Sequence, residues 1–207
     1  RPQEYEHLFR SMIRNWRDDW GQGDFPFLFV QLANFLPSSP QPQESSWAAT
    51  RQAQAKALAE PNTAMAVAID VGEWNDIHPL DKKTVAERLA LAARVVAYGD
   101  RDVVYSGPMI RSAVREGDSV VLGFNHVGGG LSAHGDVLQG FAVAGVDGRF
   151  AWADAVIDGD SVVLSVADGI EPLSVRYAWA DNPDIANLYN EAGLPAAPFD
   201  IAISKDP

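Results

Sequence analysis

The sequence predicts an α/β fold: part of a doubly wound parallel sheet, followed by a small antiparallel β domain. In the first half, amphipathic segments alternate with short apolar runs in the order α-β-α-β-α, which is typical of a parallel sheet covered by helices. From about Tyr105, short β-branched runs separated by Gly and Asp turn signals replace them. We therefore assign residues 1–104 to an α/β domain and residues 105–207 to a β-sandwich-like domain that ends in a C-terminal strap.

Three segments of the first half are predicted to be helices. Residues 3–20 place Leu8, Met12, Trp16 and Trp20 at four-residue steps on one face of an amphipathic helix. The segment "SSWAATRQAQAKALAEPNT" combines a serine cap, good helix formers and a Pro-Asn stop. The segment "KKTVAERLALAARVVAYG" carries a periodic apolar face and ends at a glycine, so it forms the third predicted helix.

Two segments, within "FPFLFVQLANF" and "TAMAVAID", are predicted to be strands buried on both faces. Two such strands do not form a stable parallel sheet by themselves, because sheets of this kind usually have about five strands. We therefore expect another chain, or an N-terminal segment of the same precursor, to supply the missing strands.

The second half contains short predicted strands such as "SVVLGFNHV", "RFAWADAVIDG" and "SVVLSVAD". The tripeptides "EGD" at 116–118 and "DGD" at 158–160 mark turns between them. The tail "DNPDIANLYNEAGLPAAPF" has Pro and Asn too often for regular structure. We expect it to run as an ordered strap across a surface.

Composition excludes several classes of function. A formal net charge of -12 repels polyphosphates, so nucleic acid is not an expected partner. The chain has no cysteine, which excludes disulfides, thiolate zinc sites and a cysteine nucleophile. No apolar run approaches the ~20 residues of a membrane span, so no membrane interaction is expected either.

The loop "GEWNDIHPLD" carries the strongest chemical signal. It follows a buried strand that ends at Asp70, and ligands of open parallel sheets bind outside the carboxyl ends of the strands. Within it, His78 can act as a general base, and a nearby carboxylate such as Asp76 can orient the imidazole. The alternative interpretation is that His78 is a surface histidine and Asp76 a turn former or helix cap.

The other candidate residues are weaker. His7 lies in an amphipathic helix, and His126 and His134 flank a glycine-rich stretch without a carboxylate at ligand spacing, so we expect no metal site. No serine sits in a Gly-x-Ser-x-Gly elbow. The chain thus offers a base without an evident nucleophile.

Four stretches together carry a resemblance to a known family. These are "WRDDWGQGDFPFLFVQLANF", "NTAMAVAIDVGEWNDIHPLDKKTVAERLALAA", "FNHVGGGL" and "VRYAWADNP" with "NLYNEAGLPAAPF". In this order they resemble the C-terminal part of the sialate O-acetylesterase family, which are carbohydrate O-acetylesterases of the SGNH-hydrolase type. The resemblance implies a flavodoxin-like SGNH domain and an esterase activity that needs no cofactor.

The resemblance also assigns site residues. In this family the nucleophilic serine lies in a Gly-Asp-Ser-type motif and the oxyanion-hole asparagine in a Gly-x-x-Asn-type motif, both before the matched region. By the match, His78 is the catalytic histidine. Its partner is less clear, because the usual Asp position holds Asn75. We favour Asp76, with Asp70 second and a histidine oriented by a backbone carbonyl as a further alternative.

Three more positions match family positions and are candidates for substrate contact: Gln31, Arg51 and Gln54. For each of them a structural role is at least as plausible. The partners implied are an N-terminal fragment of the same precursor and an acetylated carbohydrate. Family members that act on glycans are commonly exported or lysosomal, and the absence of cysteine is compatible with export, so we expect a periplasmic or secreted protein.

The alternative function is a non-catalytic carbohydrate-binding module or scaffold, in which aromatic side chains such as Trp152 or Trp179 stack on sugar and His78 is inert. A tryptophan in a strand is, however, more often part of a core. A lipase of similar fold would need an apolar loop facing the lipid, whereas the loop around His78 is largely polar.

We predict a preference for acetylated neutral glycans, such as acetylated xylan or xyloglucan, over acetylated sialic acid. A sialate is an anion, and a chain of net charge -12 is a poor long-range attractor for anions unless the absent half is basic. Comparing kcat/KM for the two substrate classes tests this. A strong preference for the sialate would contradict it.

Overall fold

The computed structural model describes residues 1–167 and 169–205 and has a mixed α/β architecture. Its helices are α1 (Pro2–Trp20), α2 (Ser46–Lys56) and α3 (Lys82–Val96), with a short 3₁₀ turn at Ala57–Ala59 after α2. The first two strands, β1 (Phe27–Val30) and β2 (Thr63–Ala66), lie between the helices. The remaining strands follow α3: β3 (Met109–Glu116), β4 (Ser119–Asn125), β5 (Leu131–Ala133), β6 (Phe141–Ala144), β7 (Phe150–Trp152), β8 (Ala155–Asp158), β9 (Ser161–Ser165), β10 (Ser174–Tyr177), β11 (Leu188–Asn190), β12 (Phe199–Ala202) and β13 (Ser204–Lys205).

Strands β1 and β2 form a two-stranded parallel sheet, as the alternation of segments predicts. Alternate residues of β1 bond to β2: the Phe27 N–H donates to the Asn62 carbonyl and the Gln31 N–H to the Ala66 carbonyl. In a parallel ladder the intervening residues direct their backbone groups to the other edge. Leu28 and Val30 therefore face an edge at which the structure places no further strand among the described residues.

The β half contains two larger sheets. One has five strands in the order β13-β3-β4-β9-β8, and the other has four in the order β12-β10-β6-β7. Phe124 of β4 contacts Phe199 of β12, which in turn contacts Tyr177 of β10, so side chains of both sheets meet in one core. The predicted turns at 116–118 and 158–160 connect β3 to β4 and β8 to β9.

The sequence predicted no regular structure in the tail, but part of the tail forms a strand, and its contacts reach both halves of the chain. Strand β11 lies within it and pairs with β5. Buried residues on both sides of the predicted boundary at residue 104, among them Phe29, Met65, Leu122 and Tyr177, belong to one hydrophobic cluster. The change from α/β to β structure therefore does not interrupt the core.

Helix α1 confirms the predicted segment, but its buried face differs from the apolar row in the sequence. Leu8 is 60% exposed and Trp20 69% exposed, whereas Ile13 is fully buried. Phe9 packs edge-on against Phe29 of β1 at 4.9 Å between ring centroids. The side of the helix that faces the core thus contains Phe9 and Ile13, each one residue further along the chain than a member of the row that starts at Leu8.

The burial difference within α1 predicts unequal effects of truncation. Ile13→Ala leaves a cavity in the core and is expected to lower the free energy of unfolding by about 2–5 kcal/mol. Leu8→Ala, in the same helix, changes an exposed position and is expected to stay within about 0.5 kcal/mol. Urea unfolding followed by circular dichroism measures both, and equal losses would contradict the assigned face.

Candidate active site

The loop that carries Asp76 and His78 lies at the carboxyl end of β2. After β2 the chain stays buried through Ile69, reaches Asp70 and then emerges. The loop ends at Asp81, whose carboxylate accepts a hydrogen bond of 3.0 Å from the Thr84 N–H and so caps α3. A buried strand and a capped helix therefore fix both ends of the loop.

Asp76 and His78 are close neighbours on the surface. The nearest approach of the Asp76 carboxylate to Nδ1 of His78 is 3.6 Å, slightly longer than a hydrogen bond. The same Asp76 oxygen, Oδ1, accepts the backbone N–H of His78 at 2.8 Å, which closes a tight local turn. The His78 side chain is 87% exposed and that of Asp76 is 52% exposed. The pair is thus placed together, with its imidazole open to a reactant or to a partner.

Asp70, the second candidate, is engaged elsewhere. Its two carboxylate oxygens accept a bidentate pair of hydrogen bonds from Arg88, at 2.7 and 2.6 Å. The Tyr189 hydroxyl donates to the same carboxylate at 3.1 Å. Burial and the nearby Asp70 charge raise the pKa of Tyr189, so its hydroxyl stays protonated as a donor. These contacts give Asp70 a structural role at the base of the loop, and its part in orienting His78 stays a prediction.

A second set of contacts holds the loop between Asp70 and Asp76. The Gly72 N–H donates to Oδ1 of Asn34 at 2.6 Å, and the Leu36 N–H donates to the Trp74 carbonyl at 2.9 Å. A Cβ on Gly72 would lie 2.1 Å from the backbone oxygen of Asn34, so a side chain does not fit there. The segment after β1 therefore lies directly against the loop.

The three predicted substrate contacts have structural partners. Gln31 is fully buried, and its amide donates to the Arg51 carbonyl at 3.0 Å. Gln54 accepts the Leu32 N–H at 2.9 Å and donates to the Val30 carbonyl at 3.4 Å, which satisfies part of the outer edge of β1. These contacts favour a structural role for Gln31 and Gln54. Their contact with substrate stays a prediction.

Arg51 is the most heavily bonded of the three. Its guanidinium is fully buried and donates to four carbonyls, of Leu32, Ala33, Ala180 and Asp181, at 2.6–2.8 Å. Burial lowers the pKa of Arg51 to about 9, and the nearby Asp181 opposes this shift, so the side chain is a cation at neutral pH. It ties the segment after β1 to the C-terminal tail.

The described serines include no evident nucleophile, and two of the remaining histidines contact tyrosine rings. The tripeptide Gly-Asp-Ser occurs twice, but Ser119 begins β4 and Ser161 begins β9, each at a hairpin turn and not at a strand-to-helix turn. His134 stacks on Tyr189 at 3.6 Å between ring centroids. His126 lies edge-on to Tyr105, and burial lowers its pKa.

Metal-binding groups, membrane-spanning helices and exposed apolar side chains all bear on what this site can bind. Within residues 1–167 and 169–205, no group of three or more His, Asp or Glu side chains is arranged to hold a metal ion. In the same part of the chain, no helix is both long and apolar enough to span a membrane. Apolar side chains beside His78 are exposed, namely Trp74, Ile77 and Leu80.

Comparison with known proteins identifies the relatives of this chain. Sialate O-acetylesterase from Mus musculus is 30% identical over 97% of this chain, and the Homo sapiens protein of that name is 34% identical over 51% of it. This chain is homologous to the sialate O-acetylesterases. A crystal structure of a carbohydrate acetylesterase from Xanthomonas citri matches 96% of this chain with a TM-score of 0.89 and 47% sequence identity. No protein-family model matches the chain.

The resemblance to the family is thereby confirmed. The homologue spans 41% of the length of the mouse protein and 46% of the Xanthomonas citri structure. Both names describe acetylesterases, a class of carboxylic ester hydrolases, and the mixed α/β fold agrees with that of the solved structure.

The geometry predicts different consequences for the two aspartates. Asp70→Asn weakens the bidentate contact to the nearly buried Arg88, and we expect a loss of about 2 kcal/mol in the free energy of unfolding. Asp76→Asn alters a half-exposed carboxylate and is expected to change stability by less than about 0.5 kcal/mol. Chemical denaturation measures the difference, and a larger loss for Asp76→Asn would contradict this assignment.

Proposed function

We propose that this chain is the histidine-bearing part of a serine esterase that removes O-acetyl groups from carbohydrate. The observation that carries the proposal is the position of His78: an exposed imidazole beside a carboxylate, on a loop at the carboxyl end of β2, in a chain 47% identical to a carbohydrate acetylesterase. Ligands of open parallel sheets bind at this end of the strands.

In the proposed mechanism, His78 acts as the general base. Its imidazole takes the proton of a serine hydroxyl, and the serine oxygen attacks the acetyl carbonyl carbon. Hydrogen-bond donors stabilise the resulting oxyanion, and the imidazolium then protonates the departing sugar oxygen as the C–O bond breaks. Water, activated by the same imidazole, releases acetate from the acyl-serine. No cofactor is needed for any of these steps.

Asp76 is the proposed partner of the imidazole. In the structure its carboxylate is 3.6 Å from Nδ1 of His78, so a small rotation of either side chain brings the two within hydrogen-bond distance. A carboxylate at this place fixes the tautomer and stabilises the imidazolium. Asp70 is a weaker candidate, because Arg88 and Tyr189 already bind its oxygens.

The nucleophile and the oxyanion hole are proposed to come from an N-terminal segment of the same precursor, which completes a doubly wound sheet of the SGNH type. Two features of the structure support this. The backbone groups of Leu28 and the N–H of Val30 lie at an edge of β1 to which an additional strand can bond. In addition, Trp16, Trp20 and Trp74 have large exposed surfaces that a further polypeptide segment can cover.

The proposed substrate is an acetylated neutral glycan, since the net charge of -12 on these 207 residues disfavours an anionic sialate at long range unless the N-terminal segment is basic. A role on extracellular or periplasmic glycans fits an exported protein. A carbohydrate-binding module without catalysis is the competing interpretation. Trp152 is partly exposed, as such a module requires, but its indole N–H donates to the Pro40 carbonyl at 3.0 Å, so that end is already engaged.

Labelling with a fluorescent fluorophosphonate tests the proposal. In the full-length protein or the two-part complex, we expect the label on a serine outside residues 1–207, and His78→Ala is expected to lower both labelling and esterase activity by about 10²–10⁴-fold. His7→Ala, which changes another exposed histidine, is the matched control and is expected to have no effect.

Two results would count against the esterase function. If His78→Ala matches the wild type in labelling and activity, His78 is not the base. If no serine is labelled although the complementary segment is present, the carbohydrate-binding interpretation takes the place of the esterase.

A further inference from the structure

We propose that Tyr189 and Asn182, both in the C-terminal tail, are positioning residues that hold the His78 loop in its working place. This inference rests on the proposed function, because it assigns these residues to the same site. Neither residue reaches the reacting atoms. Tyr189 instead binds Asp70 at the start of the loop, and Asn182 binds Asn34, which in turn binds Gly72 of the loop.

The first link runs from Tyr189 to Asp70. The Tyr189 hydroxyl donates to Oδ2 of Asp70 at 3.1 Å, and Arg88 binds both oxygens of the same carboxylate from α3. The Tyr189 ring is itself fixed, because β11 pairs with β5 and the ring of His134 stacks on it with an interplanar angle of 9°. Asp70 is thereby held between the tail and α3 at the point where the loop leaves β2.

The second link runs from Asn182 through Asn34 to Gly72. The Asn182 side-chain oxygen accepts a hydrogen bond of 3.0 Å from Nδ2 of Asn34, and the other end of the Asn34 amide accepts the Gly72 N–H at 2.6 Å. Asn34 is thus bonded at both ends of its amide. Asn182 is 8% exposed, so the side chain that orients Asn34 is nearly buried.

These links matter because the loop beyond them has mostly local contacts. Asp76 bonds to the backbone of His78, Glu73 bonds to the Leu80 N–H, and the His78 imidazole is exposed. A displacement at the base of a loop carries over to its tip. A shift of about 1 Å in a catalytic group lowers a rate by up to about 10²-fold, so the tail controls the rate through the position of the imidazole.

A purely structural role and a positioning role differ in their effect on kinetics. A residue that only stabilises the fold changes the fraction of folded protein. A residue that positions the base changes kcat of the folded enzyme and leaves KM unaltered, because substrate contacts are kept. Local opening of the loop is a second and independent readout, since it is measured without substrate.

The test uses the full-length protein or the two-part complex and compares Tyr189→Phe with Tyr98→Phe. The control removes a hydroxyl from a tyrosine that is 83% exposed just after α3. We expect Tyr189→Phe to speed amide hydrogen exchange in residues 71–78 by about three- to tenfold. We also expect it to lower kcat for an acetyl ester by about tenfold with KM unchanged. Tyr98→Phe is expected to change neither.

A second pair of variants covers the case in which Tyr189→Phe does not fold. Asn182→Ala removes the acceptor for Asn34, whereas Asn182→Asp keeps an oxygen at that position. Faster exchange and a lower kcat in Asn182→Ala, with substantial recovery in Asn182→Asp, support positioning.

Two outcomes overturn the proposal: unchanged exchange of residues 71–78 in both Tyr189→Phe and Asn182→Ala, or faster exchange with unaltered kcat. Absence of esterase activity in the wild type is a different result. It refutes the proposed function, whereas the exchange measurement still decides whether the tail holds the loop.

Discussion

The buried guanidinium of Arg51 connects two segments that are far apart in the sequence. It bonds to carbonyls of Leu32 and Ala33, just after β1, and to carbonyls of Ala180 and Asp181, at the start of the tail. A buried cation costs free energy unless every donor is satisfied, and four carbonyls at hydrogen-bond distance offset that cost. Because the segment after β1 contacts the His78 loop, the geometry around Arg51 determines where that loop can lie.

The arrangement around Arg51 makes the tail a part of the candidate site. Ser45, which caps α2 by accepting the Ala48 N–H, also bonds to the Asp181 side chain. Asn182, the next residue, contacts the base of the loop through Asn34, and Tyr189 contacts it directly through Asp70. The β half is therefore not an appended module, since its last segment supplies groups that the α/β half needs for its own loop.

Periodicity and turn chemistry were sufficient to predict many of the local elements, although strand β11 lies in the tail, where no regular structure was expected. The three helices, the two parallel strands and the hairpin turns all follow from patterns of a few residues. The buried face of α1 was missed because tryptophan and leucine are counted as apolar in any such pattern, while only packing against the rest of the core decides that Ile13 is the buried residue. The loop with Asp76 and His78 could be located because it directly follows a buried strand.

The sequence pattern could not reveal long-range polar contacts. Nothing near Arg51, Gln54 or Tyr189 in the chain indicates that each bonds to a distant backbone or carboxylate group. Charged and amide side chains matched to family positions suggested contact with substrate, yet their partners here belong to the protein itself. Such roles depend on how the segments meet in space, which a single sequence does not encode locally.

The side chain of Gln54 has a consequence for the assembly of the sheet. Its amide accepts the Leu32 N–H and donates to the Val30 carbonyl, in the manner of a backbone peptide of a neighbouring strand. The Leu32 N–H and the Val30 carbonyl are therefore not available to a strand that docks on β1. Such a strand can bond only to the backbone groups that precede them. Because Gln54 belongs to α2, this helix limits the register that a docking strand can adopt on β1.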